Sequence, residues 1–341
     1  MTISRRRHTA FATALAIAFV LPGSAVQAEK PSETTAVVTV LNDTALDGLG
    51  SGSAIGPDGA LYVTNGNKGT LVRVNPTTGS ARVVGRGLPR KFIDIGGAMD
   101  VAFIGDRAYV MVILAGVDVG GPDDVMGIYR LKRDGTFSVF ADLGKWSTAH
   151  PPKDPDWFLS QGVQYSMDVW RKGFVVADAH LARVIRVNRR GRISELVGFG
   201  STDRVPTGLE VADGKVLLAT AGPIPHLPST SKINVVRRNG SVKVVGKWSA
   251  DYAGNRGLIV DVEHDQGRLY GLLQGYWNLE PTFENEGFPA KRNTGEIVVV
   301  RADGTFRTVV RGLNQPTSLE LVGGVGFVVT FSGKILRIDW F

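Results

Sequence analysis

The 341-residue chain contains no cysteine. That excludes disulfides, thiolate catalysis, cysteine-ligated metals and lipid attachment through cysteine. No apolar run reaches the ~20 residues that a membrane-spanning helix needs. Histidine is scarce, five in all, and the spacing matches no zinc signature. There is no Gly-x-Ser-x-Gly elbow, phosphate loop or dinucleotide fingerprint in a strand–helix setting. Helical periodicity of useful length is missing too. Acidic residues number 32 against 39 basic ones, a net charge of +7. Part of that surplus sits at the N-terminus, and what remains is too small to argue for nucleic acid.

The N-terminal surplus is a short basic start, Arg5-Arg6-Arg7, followed by a nearly uninterrupted apolar run from Ala10 to Leu21. Pro22 and Gly23 follow, and Val26-Gln27-Ala28 offers small residues for a signal peptidase. This layout predicts a secretory signal peptide over 1–28, cleaved after Ala28 and taking the general export route. A mature chain of 29–341 would carry 36 basic and 32 acidic residues, a net of +4. The expected location is secreted or periplasmic. No transmembrane segment is expected, and the mature chain is expected to be a monomer.

What the chain has in excess is glycine, 43 residues or about 13% against a usual ~7%. The glycines punctuate a repeat. The first unit runs through a turn at Gly56-Pro57-Asp58-Gly59, a strand Ala60–Thr64, a strand Thr70–Val74, a turn at Thr78-Gly79 and a strand Ala81–Val84. Its second strand recurs at Ala108, Phe174, Val216, Leu269 and Phe327, and its third at Ile128, Val184, Ile233, Ile297 and Ile335. The turn glycines 79, 135, 191, 240 and 304 are 56, 56, 49 and 64 residues apart, so loops vary while strands recur. The Asp-Gly and Asn-Gly pairs predict two-residue hairpins with positive φ at both positions.

Units of four short strands read as propeller blades. The fold expected is all-β, a single six-bladed β-propeller over 29–341. The sixth unit stops at its third strand, and an unassigned strand at 36–41 completes it and closes the ring.

The strings Ile55-Gly-Pro-Asp-Gly-Ala-Leu-Tyr-Val63, Val205-Pro-Thr-Gly-Leu-Glu-Val211 and Gln315-Pro-Thr-Ser-Leu-Glu-Leu321 carry a resemblance. They resemble the NHL and SMP-30/gluconolactonase-like six-bladed propellers. The middle blades, with Trp146-Ser-Thr-Ala-His-Pro-Pro152, Val175-Val-Ala-Asp-Ala179 and Ala221-Gly-Pro-Ile-Pro225, more closely resemble the secreted ScyD/ScyE family. This chain has Asp178-Ala-His-Leu-Ala182 where that family commonly has Asp-Ala-Gly-Gly-Asn. The resemblance implies an exported propeller without a settled activity. The SMP-30 group would instead imply a metal-dependent lactonase with carboxylate and asparagine ligands in the channel. Its glutamate near the first inner strand has no counterpart here, where Gly52 and Ser53 stand.

Loops between second and third strands share one face with the loops that enter the next blade. They are long at 114–126, 144–162, 221–231 and 274–294. A ring elaborated on one face carries its function there. The candidate ligand-binding rim is Asn65, His150, Trp157, His180, His226, Arg256, Trp277 and Asn314. Aligned units place Gly52, Asp100, Asp168, Gly208 and Ser318 in one channel column, with Asn255 and Arg256 near the fifth-blade entry. Asp100 and Asp168 are the candidate metal ligands, for calcium or another divalent cation held by oxygen, or a general acid and base pair. Their alternative is structural, each aspartate accepting bonds from backbone amides. The function expected is binding of a small molecule, glycan or protein on the loop-rich face, in extracytoplasmic assembly or handling of a product. The rival is the metal-dependent hydrolase or lactonase with its site in the channel.

Overall fold

The structure is a computed structural model that describes residues 36–48, 50–153, 159–200, 204–222, 227, 229–249, 256–277 and 290–340. Every blade is a four-stranded antiparallel meander, named here from its innermost strand outward. The N-terminal strand β1 (Ala36–Asn42) belongs to the last blade. Blade 1 is β2 (Gly50–Ile55), β3 (Leu61–Asn65), β4 (Thr70–Val74) and β5 (Ala81–Arg86). Blade 2 is β6 (Gly97–Ile104), β7 (Arg107–Ile113), β8 (Gly127–Leu131) and β9 (Phe137–Asp142). Blade 3 is β10 (Gln164–Trp170), β11 (Gly173–Asp178), β12 (Arg183–Val187) and β13 (Ile193–Gly198). Blade 4 is β14 (Pro206–Ala212), β15 (Lys215–Thr220), β16 (Lys232–Val236) and β17 (Val242–Lys247). Blade 5 is β18 (Ile259–Asp265), β19 (Arg268–Leu273), β20 (Gly295–Val300) and β21 (Phe306–Leu313). Blade 6 is β22 (Pro316–Val322), β23 (Val325–Thr330) and β24 (Ile335–Trp340), completed by β1.

The six-bladed ring closes as expected, with Ala36 opposite Trp340 and Val38 opposite Ile338. Two local expectations are corrected. One short helix, α1 (Leu143–Ala149), follows β9, started by the Asp142 side chain accepting from Lys145 N. The Asp-Gly turns are not two-residue hairpins. At Lys132–Thr136, as at Asn188–Arg192, three residues lie between the bonded ends, and only the glycine takes positive φ. A type I turn closed by one left-handed glycine meets the strand twist without strain on the aspartate.

The core follows from the sandwiching of blades. Second strands have neighbours on both faces and are rich in Val, Leu and Ile; β11 is buried throughout. Outer strands such as β5 are exposed on one face. The apolar clusters are therefore wedges between blades. Met111, Ile128, Phe174 and Ile185 fill the cleft between blades 2 and 3. Val175, Val184, Leu209 and Val216 fill the next. The axis is left to polar groups.

Candidate channel site

All six innermost strands carry a β-bulge near their start, as between Ala98 and Asp100 or between Ile259 and Asp261. A bulge re-aims the following side chains. Here the re-aimed side chains line an axial cavity of about 350 Å³. Six carboxyl groups line it: Asp100, Asp168, Glu210, Asp261, Glu263 and Glu320. Ser51, Ser53, Ser166 and Ser318 join them, and no lysine, arginine or histidine does.

The carboxyl groups form two tiers that clasp one blade to the next. In the first, Met167 N donates to Asp100 Oδ2 (2.7 Å), Leu319 N to Asp261 Oδ2 (2.8 Å) and Ser53 N to Ser318 Oγ (3.1 Å). Two residues along, Val211 N donates to Asp168 Oδ2 (2.6 Å), Leu321 N to Glu263 Oε2 (3.3 Å) and Ile55 N to Glu320 Oε2 (3.3 Å). The His264 backbone serves Glu210 in the same way. Asp100 Oδ1 accepts from Val101 N, Asp168 Oδ1 from Val169 N and Asp261 Oδ1 from Val262 N. Both oxygens of these three aspartates are thus bound to backbone amides.

This register corrects the expected column. Ser166, not Asp168, stands level with Asp100, and Asp168 belongs one tier along with Glu210, Glu263 and Glu320. In the fifth blade the level residue is Asp261; Arg256 precedes β18 in an isolated bridge to Tyr276. Asn255 lies outside the described residues.

Burial in a lining without cations raises every one of these carboxyl groups. Asp168 is pushed up to about 6 by burial alone, against the amide bonds it accepts. Asp261 rises to about 7, by burial and then by the charge of Asp168. Glu210 rises to about 8, by burial and then by Asp168 and Asp261. Asp100, Glu263 and Glu320 stand well above the carboxylate range, again by burial first and neighbouring carboxylates second. At neutral pH the channel therefore mixes ionised acceptors with protonated donors. Glu210 is distinctive, because its Oε2 is buried and has no hydrogen-bond partner.

A calcium or other divalent cation needs several oxygens free to converge. Asp100 and Asp168 face different tiers with their oxygens committed to amides. Among the described residues, no three His, Asp or Glu side chains group as metal ligands. The donor set does not fit a bound cation.

The expected rim residues do not line the channel cavity. Asn65 is buried and its Oδ1 caps the following turn by accepting from Lys68 N (3.0 Å). His150 ends α1, its ring stacked on Trp146 at 4.7 Å and its Nδ1 2.9 Å from Trp146 O. Beneath them the buried Arg183 guanidinium lies 4.7 Å over Trp146, pairs with Asp178 at 3.0 Å and donates to His150 O (2.6 Å). His180 Nε2 accepts from Leu159 N (3.2 Å), and burial holds its ring down at about 4, neutral at physiological pH. Arg256 reaches the buried Glu296 at 3.4 Å and lies over Trp248 and Tyr276 at 4.7 and 5.4 Å. Trp277 is buried, and Asn314 Oδ1 accepts from Asn293 N (3.4 Å). Trp157 and His226 lie outside the described residues. Those described anchor loops, and His150 alone meets another candidate's neighbourhood through Arg183.

Sequence reasoning missed Glu210, Asp261, Glu263 and Glu320. A signal for two of them was present. The strings Pro206-Thr-Gly-Leu-Glu210 and Pro316-Thr-Ser-Leu-Glu320 repeat a glutamate at the same place in two blades.

No protein-family model and no curated protein matches the chain. Solved structures do match in fold. A gluconolactonase from Xanthomonas campestris is 12% identical, with a TM-score of 0.58 and 90% of each chain covered. The PQQ-bound aldose sugar dehydrogenase from Streptomyces coelicolor is 13% identical, with a TM-score of 0.57 over 90% of this chain and 99% of that one. Virginiamycin B lyase from Staphylococcus aureus is 12% identical, with a TM-score of 0.54 over 90% of this chain and all of the other (100%). These likenesses place the fold among the gluconolactonase-like propellers.

Proposed function

We propose that this chain is an exported propeller that binds a small molecule rich in hydrogen-bond donors, in the assembly or handling of an extracytoplasmic product. The observation that supports this is the axial cavity of about 350 Å³ lined by six carboxyl groups and no cation. Hydroxyl and amine groups donate to the ionised carboxylates, and the protonated carboxyls donate back. A polyol, a sugar or an amine meets those terms; an anion does not. The long loops around the channel entrance would select among such ligands, or hold a glycan or protein that presents one.

A second reading has one observation in its favour. Glu210, with an unpartnered buried oxygen and a proton held to about pH 8, lies within the field of Asp168, which loses its proton near 6. A protonated carboxyl acting beside an ionised one is an acid–base pair suited to hydrolysis. The gluconolactonase likeness suggests a lactone as substrate. With the aspartate oxygens committed to amides, no step is routed through a metal.

Thermal melts of the full chain test both readings. The panel comprises sugars, polyols, amines and lactones, and calcium, magnesium, manganese or zinc after EDTA. A ligand at ~100 times its dissociation constant adds about 2.7 kcal/mol, and a polyol or amine should give such a rise. A rise with a divalent cation alone, together with lactone hydrolysis that Glu210→Gln abolishes, would replace binding by catalysis. No shift with any compound would leave the carboxyl tiers a purely structural clasp.

A further inference from the structure

The turn face of the ring, opposite the long loops, is electrically lopsided. In each blade the turn between the first and second strands and the turn between the third and fourth lie at the same end of the sheet. In blade 2 these turns present Arg107, Lys132 and Arg133, all exposed. In blade 3 they present Arg171 and Lys172, then Arg189, Arg190 and Arg192, again all exposed. In blade 4 they present Lys215, Arg237 and Arg238. Only Asp106, Asp134 and Asp213 stand among these eleven cations. Asp134 spends its Oδ1 on Thr136, whose backbone N (2.9 Å) and Oγ1 (2.7 Å) both donate to it. Among the described residues none of the eleven cations forms an ion pair.

The rest of the ring does not share this pattern. On blade 1 the turn residue Asp58 is paired with Arg73 at 2.7 Å. The blade 6 turn at Val322–Val325 is uncharged, and Arg337 is paired with Asp339 at 2.6 Å. Eleven cations against three carboxylates leave eight positive charges on three adjacent blades, while residues 29–341 total only +4. The remainder of those residues is therefore net negative by four. A general basic composition does not produce that; the charge is gathered on one face. Blade 3 places its Arg171-Lys172 pair at φ 54° and 65°. Asn-Gly would sit there with less strain.

We infer that the turn face of blades 2 to 4 is a docking surface for an anionic lipid bilayer. The turns are short, so the cations stand at one level across three blades, an array suited to a flat charged surface. None of the turn residues is aromatic, so nothing there stacks on bases or sugar rings. In blade 2 a depression of about 450 Å³ is lined by Arg107, Arg130, Lys132 and Arg133 with Asp106, a seat for one phosphate headgroup. Basic residues near an anionic leaflet attract it additively over a Debye length. Docked this way, the chain points its long loops away from the membrane. The inference is independent of what the channel binds.

Co-sedimentation of the full chain with phosphatidylcholine vesicles holding about one third phosphatidylglycerol tests this. Binding should appear with these vesicles, be absent with pure phosphatidylcholine and fall steeply with added salt. Arg189→Glu/Arg190→Glu combined with Arg237→Glu/Arg238→Glu should weaken binding roughly tenfold or more, with the melting temperature unchanged. The milder Arg→Gln set at the same four positions should weaken it less. Equal binding to uncharged vesicles would assign the attachment to the N-terminal apolar run and overturn the inference. So would unchanged binding by both variant sets, or retention by a soluble acidic polysaccharide without any vesicle binding.

Discussion

A methyl group at Gly208 would lie 2.4 Å from the Asp261 Cα and 2.6 Å from the Val260 carbonyl oxygen. Both are backbone or anchored atoms of the next blade, so neither can yield as a flexible side chain would. Gly52 has the same relation to Asp100, whose Oδ1 would lie 2.3 Å from the added carbon. Glycine in the first tier thus admits the neighbouring aspartate to its clasp, and the two residue types alternate for steric reasons. Gly208→Ala is expected to destabilise the fold by about 1–3 kcal/mol, the usual penalty of overpacking. A urea denaturation curve measures it, and an unchanged midpoint would refute this packing account. The column of Gly52, Asp100 and Gly208 was legible in the sequence because each recurs beside an apolar strand. Asp168 was read one tier off because a bulge shifts the phase within each inner strand, and a bulge leaves no mark in one sequence.

At the scale of the element, the inner strands carry a titration. Each channel carboxyl has its folded pKa raised, so the folded state holds protons that the unfolded chain has released. Their contribution is fully present below the unfolded value and is lost as pH rises through the folded one. Asp261 at about 7 and Glu210 at about 8 place that loss between neutral and mildly alkaline pH. His180, held at about 4, acts in the opposite sense, but only below its ordinary value of 6.5. From pH 6.5 to about 8.5 the carboxyls act alone, so the melting temperature should fall over that interval. Glu210→Gln should flatten the fall, since an amide has no proton to lose. A pH series of thermal melts on the two proteins decides it; a flat profile in the unaltered chain would show that the channel carboxyls ionise freely.

At the scale of the whole molecule, the ring depends on β1. Its backbone pairs with β24 from Ala36 opposite Trp340 to Asn42 opposite Ile335. Without it, blade 6 would keep three strands and expose the β24 edge. A chain beginning at Asp43 should therefore melt at a lower temperature and be cleaved faster by protease in its last blade. Equal resistance of the two chains would mean that the ring holds without its closing strand. Closure was visible in the sequence as an arithmetic remainder: a sixth unit one strand short, and one strand spare at the N-terminus.

Strand number, blade order and closure were set by local patterning. Alternating Val, Ile and Leu with recurring turn glycines admits one meander per unit, and six such units admit a ring. The charged turn face was written in the sequence too, as Arg171-Lys172, Arg189-Arg190 and Arg237-Arg238, but only the common direction of the sheets turns separate pairs into one surface. The channel was decided by tertiary structure alone. Asp100, Asp168, Glu210, Asp261, Glu263 and Glu320 come from five blades, and no spacing along the chain relates them. Their burial, their amide partners and their raised proton affinity exist only when the ring has closed and brought like charges to one axis.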